Sequence, residues 1–282
     1  MNRTPPLATL RALRQEIGFG CPVPGCGSPY LEWHHFDPPW REREHHNPAG
    51  MIALCTRHHP QADGGAYTDD DLRKFKRAGQ PGGPVAGRFE WLRKNLAIKV
   101  GGAWYFNTDV ALAVNSEPVV WFTRDAEDRL LLNIRMPEWG GEPRFVMLDS
   151  FWMLDGNPVD VECPPSGRLV SVKYPNGDYI RVEFVVVETS KQGGDRFGYW
   201  PDQHNAEYPV TVCVVQLRVP AAKIDLGPTT SYIGGAILTH CTFNFSVGFD
   251  LKITPPPPPP QRPIPRNLAI PGMTRAGLNG PC

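Results

Sequence analysis

The sequence lacks a net charge, a long hydrophobic run and an apolar leader. Its 282 residues carry 29 lysines and arginines against 29 aspartates and glutamates, so a global positive field for wrapping nucleic acid is absent. The first twenty residues contain several charges and no apolar core, which argues against a secretory signal peptide. No stretch combines the length and apolarity of a membrane span. We therefore expect a cytoplasmic protein with no membrane contact.

Periodic signals are also missing. The chain has 28 glycines and 32 prolines but no Gly-X-Y period, which excludes collagen, and no repeat strict enough for a propeller or solenoid. Its 41% hydrophobic content is enough to build a core. Composition divides it into residues 1–95, a β-rich region at 96–253 and a proline-rich tail at 254–282. We expect the tail to be disordered and extended.

The sequence of the middle region predicts strands joined by turns. The alternating stretch 178–186, with Ile180, Val182, Phe184 and Val186 on one face, follows another strand across Pro175-Asn176-Gly177, a strong hairpin signal. Gly101-Gly102 and Gly234-Gly235 are further candidate turns. The pattern predicts a mostly antiparallel sandwich or barrel-like domain, which could recognise DNA, bind a protein partner or self-associate.

The first region has two helical segments. Leu7, Leu10, Leu13 and Ile17 have the spacing of a short amphipathic helix. A clearer helix should begin after Thr68, a good N-cap, with aspartates in its first turn and basic residues in its last. Gly79 and residues 81–84 should end it and form a linker.

Cysteine and histidine are concentrated in this first region, which holds six of the eight histidines. Cys21 and Cys26 form one close pair, and Cys55 and His58 form another. Two such pairs separated by about one hairpin are typical of a structural zinc held by thiolate and imidazole. We therefore predict a zinc site that substitutes for part of the core of a small module.

A second set of histidines is interleaved with the first. His34 and His35 are neighbours on a predicted strand, so their side chains should point to opposite faces. One of them can bind a metal while the other contacts a water. His59 follows His58 directly, and Asp63 would lie one helical turn after His59 on the same face.

These residues resemble the HNH endonuclease family, also called ββα-metal or His-Me finger nucleases, in its zinc-containing bacterial or phage form. The matching parts are the pair Cys21/Cys26, His34-His35 followed by Pro38, and Leu54-Cys55-x-x-His58-His59. The resemblance covers roughly residues 21–77. It implies a zinc-stabilised ββα-metal module, so that the whole chain would be an α+β protein with a β-rich second domain.

One position departs from the family pattern. The family's middle asparagine would fall at Gly50, and the nearest asparagine is Asn47. In the family this residue steadies the loop between the two strands or helps to bind metal. Asn47 is our candidate for that catalytic role from a shifted register, with His45 or His46 as substitutes. Judged on its own, the pair His45-His46 is more typical of a solvated loop.

The resemblance also implies roles. His35 matches the general base that accepts a proton from the attacking water. His34 and His59 match the ligands of one catalytic divalent ion, Mg²⁺ or Mn²⁺, with Zn²⁺ or Ni²⁺ also compatible with imidazole. Several basic side chains could contact phosphates, although each one alone is more typical of ordinary surface charge: Arg41, Arg43, Arg57, Arg73, Lys74 and Arg77.

Two hypotheses follow. The leading one is a metal-dependent DNA endonuclease that hydrolyses phosphodiester bonds with a histidine-activated water and one divalent ion. The alternative is a non-catalytic, zinc-stabilised module that binds DNA or protein with a degenerate HNH site. Gly50 and the zero net charge favour the alternative slightly, whereas the intact set His34, His35 and His59 favours the nuclease more.

Overall fold

A computed structural model describes residues 3–137, 144–201, 207–244 and 247–252. The chain is mixed, with few helices and many antiparallel strands arranged in sheets. Among the described residues, no helix is long and apolar enough to cross a membrane. The expected disordered tail at 254–282 lies outside the described residues.

Residues 3–84 of the first region contain two short strands and three α-helices. Strands β1 and β2 pair antiparallel, with Leu31 opposite Cys55 and His35 opposite Met51. The elements are, in chain order, α1 (Leu7–Glu16), β1 (Leu31–His35), β2 (Met51–Cys55), α2 (His58–Asp63) and α3 (Asp69–Ala78). The sequence correctly predicted α1 and α3.

The N-terminal cap of α3 explains where this helix begins. Thr68 Oγ1 accepts a hydrogen bond from the amide of Asp71, and the Asp71 carboxylate accepts one from the amide of Thr68. This reciprocal pair satisfies two of the amides that a helix start leaves without partners. At the other end, Gly79 adopts a left-handed conformation with φ of 66°, which suits glycine and ends the helix.

The elements of the first region share a small core of their own. Leu13 of α1, Met51 and Leu54 of β2 and Leu72 of α3 are all almost completely buried in it. The two-stranded sheet also contributes Leu31, Ile52, Ala53 and Cys55 to this core. A core of this size gives limited hydrophobic stabilisation, so the region needs a further source of folding free energy.

The β-rich part of the chain contains seventeen of the described strands, of which β3 lies within residues 1–95, and the helix α4. The strands form two large sheets, of seven and ten strands. The strands and the helix α4 are, in chain order, β3 (Ala86–Arg88), β4 (Ala97–Val100), β5 (Ala103–Phe106), β6 (Val110–Val114), β7 (Glu117–Arg124), β8 (Leu130–Arg135), β9 (Val146–Leu148), β10 (Phe151–Met153), β11 (Asp160–Glu162), β12 (Leu169–Lys173), β13 (Tyr179–Val187), α4 (Ser190–Phe197), β14 (Val210–Val219), β15 (Ile224–Leu226), β16 (Ser231–Ile233), β17 (Ala236–Leu238), β18 (Cys241–Asn244) and β19 (Val247–Leu251).

The predicted hairpins are present. Lys173 pairs with Tyr179 across the Pro175-Asn176-Gly177 turn, and the pairs β4–β5 and β16–β17 close across Gly101-Gly102 and Gly234-Gly235. The sheets are mostly antiparallel. Three pairs, β4–β14, β5–β18 and β6–β19, are parallel instead, because three later strands return to pair with strands from the start of the region.

Both large sheets contribute to one hydrophobic cluster, in which Val120 and Ile134 of one sheet and Ile180 and Val215 of the other are fully buried. Along β13 the expected face is buried at Ile180, Val182 and Phe184 but not at Val186, which is only half-buried. Val185 and Val187 are buried instead, since α4 and its neighbours cover the opposite face there with a second cluster containing Trp104 and Phe197.

The two regions are joined more closely than their compositions indicate. Strand β3 lies within residues 1–95, yet it pairs with β10 of the seven-stranded sheet. Val85 and Phe89 on either side of it pack into the large core. Residues 85–89 therefore belong structurally with the β-rich region.

A buried ion pair fixes α1 against the β-rich region. The Arg14 guanidinium donates to both carboxylate oxygens of Asp160 in β11 at 3.0 Å, and the half-exposed Arg11 adds a third bond at 3.2 Å. Arg14 is 3% exposed and Asp160 is 6% exposed. Removing one partner would leave the other charge buried without compensation.

We therefore expect Asp160→Ala to lower the free energy of unfolding by about 3–5 kcal/mol in urea titrations. The matched control is Asp225→Ala, which removes an exposed carboxylate 3.5 Å from Arg218 and should cost no more than about 1 kcal/mol. Equal effects of the two substitutions would contradict the buried interface.

Candidate functional site

The predicted zinc ligands come together. Cys21 and Cys26 lie in the turn before β1, Cys55 ends β2, and His58 begins α2. Pairing of Leu31 with Cys55 brings the end of β2 back to the segment that carries the first two cysteines. The four ligand atoms lie within 4.8 Å of one another, so this cluster could hold a metal ion such as zinc.

The distances within the cluster fit a tetrahedral ion. His58 Nδ1 is 3.3 Å from the Sγ atoms of both Cys21 and Cys55, and the sulfurs of Cys26 and Cys55 are 3.7 Å apart. A tetrahedron with zinc–sulfur bonds of about 2.3 Å and zinc–nitrogen bonds of about 2.0 Å has edges of roughly 3.5–3.8 Å. The sulfurs are too far apart for a disulfide, and all three cysteines are free.

Burial sets the protonation of these ligands when no metal is bound. It raises the pKa of Cys21 and of Cys26 above the ordinary thiol value, with the neighbouring Cys55 thiol adding to the effect. It lowers the pKa of His58, which favours the neutral imidazole. Two of the thiols therefore have to release protons when zinc binds, and the affinity of the site should fall with acid.

The turn that carries Cys21 and Cys26 is supported by residues 81–84, which the sequence indicated as a linker. Gly82 donates its amide to the Cys21 carbonyl at 2.9 Å and accepts from the Gly25 amide at 2.8 Å. A Cβ at Gly82 would lie 1.9 Å from the Val23 carbonyl oxygen. The segment is thus packed directly on the cysteine turn, and glycine is required there because the two backbones touch.

A second cluster is formed by His34 of β1 with His59 and Asp63 of α2. His34 Nδ1 is 3.1 Å from one oxygen of Asp63, and His59 Nδ1 is 3.4 Å from the other. The ligand atoms of these three residues also lie within 4.8 Å of one another, an arrangement that could hold a metal. Helix α2 extends as far as Asp63, so the expected one-turn spacing from His59 is present.

Charge around this cluster is negative. Glu32, two residues before His34 on the same side of β1, places a carboxylate oxygen 3.7 Å from His59 Nδ1. Burial lowers the pKa of His34, and the Asp63 carboxylate opposes that shift. The cluster therefore combines imidazole and carboxylate ligands, which suits a divalent cation.

His35 points away from this cluster, as adjacent strand residues should. Its ring centroid is 4.8 Å from that of Trp40 and 5.2 Å from that of His45. Burial, together with the neighbouring His45, lowers the pKa of His35 to about 4, so the imidazole is neutral near pH 7. His35 Nε2 is buried and has no hydrogen-bond partner in the structure.

His34, His35 and His59 nevertheless line one common cavity of about 330 Å³. This is possible because β1 ends at His35, where the chain turns into the loop before β2. The cavity wall also includes Asp63, Trp40 and two exposed basic side chains, Arg3 and Arg41. Sequence reasoning had suggested Arg41 but missed Arg3, which no local motif marks.

Asn47 has a local role in the structure. Its side-chain oxygen accepts a hydrogen bond from the Ala49 amide at 3.1 Å and caps the 3₁₀ turn Pro48–Gly50. It does not line the cavity that contains His34 and His35. The interpretation of His45-His46 as a solvated loop pair is wrong for His45, which is 9% exposed and hydrogen bonded.

The candidate phosphate-binding residues divide into two groups. Arg73 already has partners within the protein. Its guanidinium donates hydrogen bonds to Asp37 at 2.7 Å and to Asp70 at 3.1 Å, and it lies over the ring of Phe36. Lys74 is 3.6 Å from Asp71. The remaining candidates are exposed: Arg41, Arg43, Arg57 and Arg77.

Comparison of the chain with protein-family models, with curated proteins and with solved structures finds no match.

Proposed function

We propose that the protein is a metal-dependent nuclease that hydrolyses DNA phosphodiester bonds through an HNH-type site. One observation carries the proposal: a three-residue cluster suited to a divalent ion and a buried, neutral imidazole with a free Nε2 share one cavity. A hydrolytic site needs both features, since one group must stabilise charge and another must accept a proton.

The arrangement of the elements supports the proposal. Strands β1 and β2 and helix α2 follow one another in the order of a ββα-metal module, with His34 next to the last residue of the first strand and His59 in the helix. The cysteine cluster occupies the opposite end of the same hairpin and would hold the structural zinc. The resemblance seen in the sequence implies two metal sites, and two clusters that could hold a metal lie on this hairpin and helix.

Six residues of the cavity have a role in this mechanism. His34, His59 and Asp63 would hold the divalent ion, which when bound would neutralise charge on the scissile phosphate and on the leaving oxygen. His35 would accept the proton of the attacking water at Nε2, because that atom is unpartnered in a neutral ring. Arg3 and Arg41 at the cavity rim would contact flanking phosphates.

Local charge makes DNA binding compatible with the neutral composition. Residues 1–95 carry 13 basic and 10 acidic side chains, so this region alone has a small positive excess. Affinity for DNA depends on a few phosphate contacts, so a local set of arginines can bind DNA although the whole chain has no net charge. We expect binding to weaken steeply with added salt.

A non-catalytic zinc module is the second candidate, and Gly50 is the observation that favours it. The loop lacks an asparagine at the position where the family pattern has one, and Asn47 is occupied with a local cap. Such a protein would keep the zinc and bind DNA or protein without cleaving it. Cleavage assays on the full chain separate the two candidates.

Asp63→Asn is expected to weaken Mn²⁺ binding to the zinc-loaded protein by more than about tenfold, since it removes a charged ligand while preserving shape. Isothermal titration measures the affinity directly, and zinc content confirms that the cysteine cluster is intact. The control, Asp109→Asn, changes an exposed aspartate of the β-rich region. Unchanged Mn²⁺ affinity in the Asp63 variant would exclude this residue as a ligand.

A further inference from the structure

The cavity that contains the histidines has an aromatic wall. Four aromatic side chains line it, of which Phe36 is 3% exposed and belongs to the core of the first region. Trp33 and Tyr67 are half-buried and pack against the same core. Trp40 is also half-buried, yet it lies in none of the hydrophobic clusters that the described residues form. Packing in a core therefore does not explain this tryptophan.

Two ring contacts hold the indole of Trp40 in place. The His46 ring is stacked on it, with the ring centroids 5.3 Å apart and the planes 27° apart. The His35 ring lies 4.8 Å away at an angle of 59°. Contacts of this kind restrict the orientation of an aromatic ring. The indole is thus a defined surface on the cavity wall, directly beside the proposed general base.

The groups of the cavity wall match the two chemical parts of a nucleotide strand. The exposed guanidinium groups of Arg3 and Arg41 suit its phosphates. The indole of Trp40 suits a base, since every nucleobase has a π face that stacks on an aromatic side chain. The cavity volume of about 330 Å³ is at the small end of ligand sites, which suits one nucleotide.

Base pairing decides whether such a stack can form. Within a duplex each base is paired and presents only its edge in the grooves. Its face becomes available when the base leaves the stack, and extrusion from a duplex costs free energy. An aromatic surface beside the general base therefore favours a strand that is already unpaired.

We propose that the site acts on unpaired DNA and that Trp40 stacks on a base next to the scissile phosphate. The inference deepens the proposed nuclease function and rests on it for the cleavage step. Stacking adds affinity that does not depend on charge, which suits a region with 13 basic and 10 acidic side chains. Negatively supercoiled plasmid remains a substrate, because supercoiling favours local strand separation.

The first test compares a single strand with the perfect duplex of the same sequence, in cleavage by the full-length, zinc-loaded protein with Mn²⁺. The single strand should have a kcat/KM higher by about tenfold or more, because a duplex has to be opened first. A duplex with a central run of mismatches should be cut within that run. Equal cleavage of the single strand and the perfect duplex would overturn the inference and leave the nuclease function in place.

The second test measures binding without cleavage. A single strand that contains the fluorescent base 2-aminopurine, which stacking quenches, is titrated with zinc-loaded protein and no added divalent ion. Trp40→Leu should weaken binding by about five- to a hundredfold, whereas Trp40→Phe keeps an aromatic face and should retain most of the affinity. The control is Phe151→Leu, which removes a 48% exposed ring of β10 outside the cavity.

Wild-type affinity of Trp40→Leu for this probe would overturn the role of Trp40. Zinc content shows whether the variant is folded, and should it lose its zinc, Trp40→Met takes its place, since methionine fills the space without an aromatic face. A protein that binds the probe through Trp40 but cleaves neither substrate would refute the nuclease function and leave the stacking site supported.

Discussion

Cys55→Ser is expected to unfold residues 3–84 and to abolish zinc binding. Cys55 lies at the centre of the cysteine cluster, with its sulfur 3.7 Å from that of Cys26 and 3.3 Å from His58 Nδ1. The core of this region is small, and structural zinc sites in such modules contribute about 10 kcal/mol or more to folding. Loss of one thiolate should therefore exceed the whole stability of the region.

Zinc content by mass spectrometry and limited proteolysis together measure this effect. The variant should contain less than about a tenth of the wild-type zinc and should be cut throughout its first region, while the β-rich region stays resistant. Cys241→Ser is the matched control, since Cys241 is half-exposed and lies outside the cluster. A zinc-free Cys55→Ser protein that resists proteolysis would show that the metal is not needed for folding.

His35→Ala is expected to reduce DNA cleavage by about a hundredfold or more, the usual contribution of a positioned general base. Zinc content and DNA affinity should remain close to those of the wild type, because the His35 ring faces away from the cysteine cluster and from His34. Cleavage rates at saturating DNA and Mn²⁺ measure the loss.

Added metal separates the roles of the two neighbouring histidines. His34→Ala should regain part of its activity at high Mg²⁺ or Mn²⁺, since it weakens a metal site that still contains His59 and Asp63. His35→Ala should not recover, because extra metal does not replace a proton acceptor. If both variants respond alike, the assignment of base and ligand is wrong.

The pH dependence of cleavage follows from the lowered pKa of His35. Burial holds the neutral ring down to about pH 4, and only the neutral ring can accept a proton. His35 should therefore remain competent across pH 5–8, and the limb of the rate profile that it controls should fall only as the pH drops through about 4. A rate that halves near pH 6.5 because of His35 would contradict its burial.

Local patterns made part of this structure predictable. Thr68 and the aspartates after it predicted α3, because helix capping depends on neighbours in sequence. The turn at Pro175-Asn176-Gly177 predicted the β12–β13 hairpin for the same reason. The zinc ligands could also be predicted from the sequence, since each pair lies within six residues and tetrahedral metal geometry restricts which spacings of cysteine and histidine can bind one ion.

Long-range packing was not predictable in this way. Arg14 meets Asp160 across 146 positions, and no periodicity links them. The burial of His45 depends on the close approach of Gly50 to Asp37, which only the folded loop creates. Likewise, residues 81–84 have linker composition, and their contact with the cysteine turn arises from tertiary packing that brings two glycine-rich backbones together.

Nicking of supercoiled plasmid DNA by the full-length, zinc-loaded protein tests the nuclease proposal most directly. The wild type should convert supercoiled plasmid to nicked circles with Mg²⁺ or Mn²⁺, and chelation that spares the structural zinc should stop the reaction. His35→Ala, purified identically, should be nearly inactive. Absence of nicking by the wild type with Mg²⁺, Mn²⁺, Ni²⁺ or Zn²⁺, or equal nicking by both proteins, would contradict the proposal and favour a non-catalytic zinc module.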